Sequence, residues 1–267
     1  MKIIIENLSS PGASFSENTN SVIIKISNWI EKNNFPVLKF IDFRKRLSND
    51  EGINDNNARN IYPLLKNCGF ISYESGDQLD SKYFFTEAGQ LYVKILKVKE
   101  GLEGSSKYTF TQKNYAKDKL DVSLAALVKD GLNKIISNDQ INYSEGLRWY
   151  LYFIDRYKKI CREEFAYMVY VKKQNPDNWQ KELDSFVDQY RRHDFDLEVI
   201  VSVRNDQKGK DNHGASYRHV DIKFFTAFLY YSGLFSQAGI VTKKKEKFET
   251  SGFKNTITYY CLINNQR

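Results

Sequence analysis

The chain has 267 residues, 41% of them hydrophobic and 15% aromatic, which supplies about two or three small cores and excludes a disordered polymer. Its 40 Lys and Arg against 33 Asp and Glu leave a net charge of +7, a sign that fits a nucleic-acid partner but an excess too mild for a histone-like wrapper. Cys68, Cys161 and Cys261 lie far apart, with no C-x-x-C and no histidine pair nearby, which argues against a disulfide framework and against structural zinc. No apolar run approaches the ~20 residues of a membrane span. The opening MKIIIENLSS also lacks the basic start and long apolar core of a signal peptide. The expected location is the reducing cytoplasm, with no membrane partner.

Residues 1–20 are expected to form an N-terminal arm, because 6–20 is rich in Ser and Asn and has no apolar period. A first winged-helix domain is assigned to 21–100. Ser21 is its candidate N-cap, and Val22, Ile23, Ile26, Trp29 and Ile30 recur at helical spacing until Asn33, Asn34 and Pro36 stop the helix. Val37, Leu38, Phe40, Ile41 and Leu47 predict a second helix whose other face carries Lys39, Arg44, Lys45 and Arg46. In a third helix Ala58, Ile61, Leu65 and Cys68 make the buried stripe, leaving Asn56, Asn57, Arg59, Asn60 and Lys66 outwards. Strands over 70–74 and 82–86 form the wing, and a helix over 87–99 closes the domain.

Residues 101–188 read as a helical linker subdomain with helices over 120–136, 145–162, 164–172 and 178–190. A structureless stretch of that length would be improbable. A second winged-helix domain is assigned to 189–267. The stretch 197–203 is β-branched enough to be a strand, but alignment with the first domain makes it the helix before the turn. Val220, Phe224, Phe228 and Tyr231 predict a helix over 215–232, and 240–263 supplies a wing carrying Lys243, Lys244, Lys245 and Lys247.

The two segments share one order: helix, polar turn, second helix, glycine stop, then a hairpin. The fold class expected is therefore mainly α with small β wings, two winged helix-turn-helix domains joined by a helical spacer. That order points to double-stranded DNA. Arg can fork to guanine and Asn to adenine in the major groove, which fits Asn56, Asn57, Arg59 and Asn60 in the first copy and Ser216, Tyr217, Arg218, His219 and Lys223 in the second. Lys66 is a further outward DNA-binding candidate on the third helix, while Lys39, Arg44, Lys45 and Arg46 on the backbone-crossing helix and the wing lysines suit phosphate contacts. Each also reads as an ordinary solvated cap, turn or edge residue.

A nuclease reading rests on Asp196 followed by Asp221-Ile222-Lys223, the form of a D…(D/E)-x-K metal site. It requires a strand over 220–225, where the spacing instead indicates helix. His193, His213 and His219 lack metal-ligand spacing, and Trp29, Trp149 and Trp179 read as core. No catalytic residue, metal ligand or cofactor is assigned to this chain.

Two winged helices around a helical spacer resemble the DNA-recognition regions of type IIS restriction endonucleases such as FokI and the AlwI-like enzymes. Leu147-Arg148-Trp149-Tyr150-Leu151-Tyr152-Phe153 and Arg162-Glu163-Glu164-Phe165-Ala166-Tyr167-Met168 look like a stretch of AlwI-type chains before their second recognition subdomain. The resemblance implies an isolated recognition part, partnered with DNA and with a separate nuclease domain or subunit that would use magnesium. Lys2, Ser9 and Ser10 would then be additional DNA contacts from the arm. Plasmid replication initiators also use tandem winged helices on DNA, whereas the winged-helix subunits of SMC complexes bind protein partners. An apolar recognition-helix face would favour that last class.

Overall fold

Ser16, in extended conformation, caps the first helix by accepting from the Thr19 backbone N–H at 3.1 Å, so α1 (Glu17–Lys32) starts one turn ahead of its apolar stripe. That is why the first apolar pair, Val22 and Ile23, misleads about where the helix begins. The computed structural model describes residues 1–6, 9, 11–73, 78–202, 222–234, 244–250 and 253–261. Helices dominate these residues, joined by small sheets, so the protein is mainly α with minor β structure. Two compact units share the chain: Pro11–Ser144 with Phe224–Gln237, and Met1–Ser10 with Glu145–Lys223 and Ala238–Arg267.

The unit containing α1 continues through β2 (Val37–Lys39), α2 (Phe40–Glu51), α3 (Asp55–Asn67), β3 (Gln78–Asp80), a 3-10 turn (Ser81–Tyr83), α4 (Glu87–Gly104), α5 (Phe110–Ile136) and α9 (Lys223–Tyr231). β2 replaces the helix start expected at Val37. Pro36 and the left-handed Asn34 and Phe35 block helix there, and β2 finds an antiparallel partner in β3 with Leu38 opposite Leu79. Of the wing strands expected over 70–74 and 82–86, the described residues keep an isolated bridge between Ile71 and Phe85, while β3 lies between the two and pairs with β2. Trp29, Phe43, Tyr62, Phe84 and Tyr92 are buried among aliphatic residues of α1 to α4. Gly89 at the start of α4 is obligatory, because a Cβ there would lie 1.8 Å from the Phe70 carbonyl oxygen. Phe15 is 1% exposed and meets Phe228 of α9 edge to face at 5.3 Å, so residues 11–20 are packed chain rather than an arm.

The other unit holds β1 (Lys2–Glu6), α6 (Ser144–Tyr157), β4 (Lys159–Ile160), α7 (Arg162–Gln174), α8 (Trp179–Arg191), β5 (Glu198–Ser202), β6 (Lys244–Thr250) and β7 (Phe253–Cys261). β5 is the stretch that alignment of the two copies assigned to a helix. It is a strand, parallel to β1 with Ile3 opposite Val199 and Ile5 opposite Val201. The β-branched side chains suit a pleated ribbon, and Ile3 and Ile5 are buried while Ile4 faces out. β1 likewise lies in a sheet where an arm was expected, and Lys2 ion-pairs with Glu198. β6 and β7 form an antiparallel hairpin whose second strand also pairs with β4. The spacer expected at 101–188 is divided at residue 144, α5 belonging to the first unit and α6 to α8 to the second.

Inside this second unit Cys161 and Glu164 cap α7 reciprocally, Glu164 accepting from the Cys161 N–H at 2.9 Å. Glu164 is 0% exposed, and Arg191 of α8 donates to it at 2.6 Å and to the carbonyls of Tyr157 and Lys159. Burial pushes the Glu164 carboxyl above its ordinary range, against the pull of the Arg191 guanidinium and the Cys161 N–H. Of the tryptophans, Trp29 is core, whereas half-buried Trp149 and Trp179 hold the Lys172 ammonium at 4.9 and 4.1 Å from their ring centres. Arg191→Leu strands a buried carboxyl and is expected to lower stability by about 3–5 kcal/mol, with Glu164→Leu/Arg191→Leu recovering part of the loss. Chemical denaturation of the single and double variants measures both.

Candidate nucleic-acid interface

Gly52, left-handed at φ 63°, ends α2, and with Ile53 and Asn54 it makes the turn into α3. Glycine suits this because the left-handed backbone carries no Cβ penalty there. Ile53 is 4% exposed and pins the turn to the core. On α3 the residues Ala58, Ile61, Leu64, Leu65 and Tyr62 are buried, so the helix turns Arg59, Asn60, Pro63 and Lys66 to solvent.

A carboxylate organises the start of α3. Asp55 accepts from Arg44 of α2 at 2.5 and 2.9 Å through one oxygen and from Arg59 Nε at 3.0 Å through the other. The Arg44 hydrogen bond, reinforced by both guanidinium charges, holds the Asp55 carboxyl below the usual carboxylate range despite some desolvation. Arg44 is thus occupied: its side chain is 18% exposed and it bridges two helices, a correction to its expected place on the outward face of α2. Arg59 is 63% exposed in its side chain. With Nε committed to Asp55, its two Nη groups have no hydrogen-bond partner among the described residues, and these form the planar fork that suits guanine.

Lys39, Lys45 and Arg46 are exposed and have no ion-pair partner among the described residues. Lys66 donates to the Tyr73 carbonyl at 2.8 Å and lies over the Tyr73 ring, so it ties the end of α3 to the segment that follows it. Asn60 is exposed beside the loop at Gly12. Asn56 and Asn57 occupy the first turn of α3, and their side chains lie outside the described residues. Arg44, Asp55 and Arg59 are therefore the expected and unexpected residues that the fold joins. Asp55 was missed, although its i,i+4 spacing to Arg59 is a readable ion-pair signal.

In the second copy Ser216, Tyr217, Arg218, His219 and Lys243 lie outside the described residues, as do Asp221, His213 and Ser10. Lys223 begins α9, and Lys244, Lys245 and Lys247 sit on β6; the side chains of all four lie outside the described residues. From Lys223 onward the D…(D/E)-x-K reading meets a helix where it needs a strand. Asp196 is exposed and its carbonyl accepts from the Met1 ammonium at 2.7 Å. Among the described residues no three His, Cys, Asp or Glu side chains gather at a metal-sized site, and no helix is long and apolar enough to cross a membrane. Comparison with protein-family models, with curated proteins and with solved structures returned no match.

Asp55→Asn leaves Arg44 half-buried without its counter-charge. Because the Asp55 side chain is 36% exposed and screened, the expected cost at neutral pH is roughly 0.5–1 kcal/mol. The sign follows from the lowered carboxyl: Asp55 stabilises the fold fully above its unfolded pKa of about 4 and loses that contribution as pH falls through the depressed folded value. Denaturation curves at neutral and strongly acidic pH are therefore expected to separate wild type from Asp55→Asn at neutral pH and to converge in acid.

Proposed function

We propose that the protein binds specific sequences of double-stranded DNA, with α3 as the helix that enters the major groove. What carries the reading is the start of α3, where an exposed arginine is held by Nε and offers its free fork two helical turns or less from the left-handed turn after α2. The order β2, α2, turn, α3, bridge, β3, with β2 antiparallel to β3, supports a winged helix. In that arrangement α2 crosses the backbone, and Lys39, Lys45 and Arg46 are the cations left for phosphates.

The described exposed positions of α3 are Arg59, Asn60, Lys66 and Pro63. This polar face favours a nucleic acid over a protein partner, which would want aromatic or aliphatic anchors there. The second copy adds less, since its expected first helix is the strand β5. The resemblance to type IIS recognition regions extends the proposal to target recognition within a restriction system. Cleavage would then belong to a separate nuclease domain or subunit with its own magnesium.

Selection from a random duplex library tests the reading, and an asymmetric enriched site is the expected outcome. On that site, fluorescence anisotropy should show affinity falling steeply with salt as condensed counterions are released. Absence of binding to every duplex at low salt would overturn the proposal. Arg59→Ala is expected to cost about 1–3 kcal/mol on the selected site and little on random DNA. Arg59→Lys keeps the charge without the fork and should restore only part of the discrimination. Full recovery with lysine would make Arg59 a phosphate contact.

A further inference from the structure

The unit that carries α3 also contains a cavity of about 690 Å³ between α1, α4 and the 3-10 turn that follows β3. Its size falls within the roughly 300–1,000 Å³ of small-molecule sites. The walls are apolar, built by Ile30 of α1, Val93 and Val98 of α4, and Phe85. Two aromatic side chains border it while remaining open to solvent, Phe35 at 45% and Tyr83 at 65% exposure. Phe35 is held there in a left-handed backbone, φ 54°, by its N–H bond to the Ile30 carbonyl. A bulky residue in that region is strained, and such strain concentrates at functional sites.

Two polar observations say what the cavity would take. Ser81 lines it, is 2% exposed, and its hydroxyl has no hydrogen-bond partner among the described residues. A buried hydroxyl without a partner is costly, and an acceptor atom brought into the cavity would remove that cost. The charge around the opening is also one-sided. Lys82, Lys94 and Lys97 border the cavity against a single acid, Glu31, which Lys97 already neutralises at 2.7 Å and which also accepts from Ser27. Lys82 and Lys94 are exposed and have no ion-pair partner among the described residues.

We propose that this cavity is a binding site for a small amphipathic monocarboxylate, its apolar tail lying along Ile30, Val93 and Val98 and its carboxylate accepting from Ser81 and facing Lys82 and Lys94. The inference stands on the cavity alone and is independent of the DNA reading. An uncharged amphiphile fits the walls but leaves the lysines unanswered, and a cationic one meets like charge.

Isothermal titration calorimetry of the full chain with octanoate, 1-octanol and octylammonium tests the assignment. Octanoate is expected to saturate one site, 1-octanol to bind more weakly, and octylammonium weakest. Lys82→Glu/Lys94→Glu should weaken octanoate by about tenfold or more while leaving 1-octanol unchanged, as the loss of a charge pair requires. Val98→Trp, at a position 48% exposed and so tolerant of a larger side chain, should fill the groove and abolish binding of all three. Saturable octanoate binding that survives Val98→Trp would place the site elsewhere. Equal binding of octanoate and octylammonium, or no saturable binding of octanoate, would overturn the proposal.

Discussion

The Asp55 carboxylate is the constraint on which the geometry of α2 and α3 turns. One oxygen fastens Arg44 and the other fastens Arg59, so the angle between the helices and the position of an exposed side chain are set by the same group. A short turn alone would leave α3 free to rock about Gly52. The core limits that motion from below through Ile53, Leu64 and Leu65, and the arginine pair limits it from the solvent side. Arg59 thereby surrenders one donor and loses rotamer freedom before any ligand arrives, and an ordered side chain forfeits less entropy on binding.

The second unit uses the opposite strategy. Glu164 and Arg191 are removed from water, and the guanidinium spends its remaining donors on the carbonyls of Tyr157 and Lys159 at the entry to β4. A two-residue strand has little pairing of its own. Arg191 fixes its backbone from behind, so β7 meets a prepositioned partner. Surface pairs such as Arg156 with Asp184 are solvated at both ends and contribute far less.

Legibility from the sequence followed the range of the forces involved. The stripe of α3, Ala58, Ile61, Leu65 and Cys68, was readable because helical periodicity is local, and all four residues are buried. The helices of 101–188 were readable for the same reason, but their ends were not: the Thr109 cap starts α5 at Phe110, well before the expected 120, and α6 stops at Tyr157, where the strand β4 takes the place of the helix expected to 162. β5 was misassigned because alignment with the first copy overrode a local β-branched signal, and the partner that makes it a strand, β1, lies at the start of the chain. β2 was misassigned because its partner β3 lies beyond two helices. At the candidate interface the outward Arg59 could be read from spacing, but the diversion of Arg44 to Asp55 requires the fold that brings α2 against α3. The cavity beside Phe35 has no sequence signature, since its walls come from two helices and a turn with no common period.

Cys68, in the turn directly after α3, continues that helix's buried stripe with its thiol sealed off, and burial raises its pKa well above that of a free cysteine. Opposite it, α5 approaches so closely that a Cβ at Gly131 would lie 2.8 Å from the Cys68 Cβ. Thiolate, not thiol, reacts with alkylating reagents, so in the closed state this sulfur is protected both by exclusion and by protonation. Each opening of the α3 and α5 contact removes both protections together. The rate at which Cys68 is alkylated is therefore a natural clock for local opening of the helix pair, set into the chain without any introduced label.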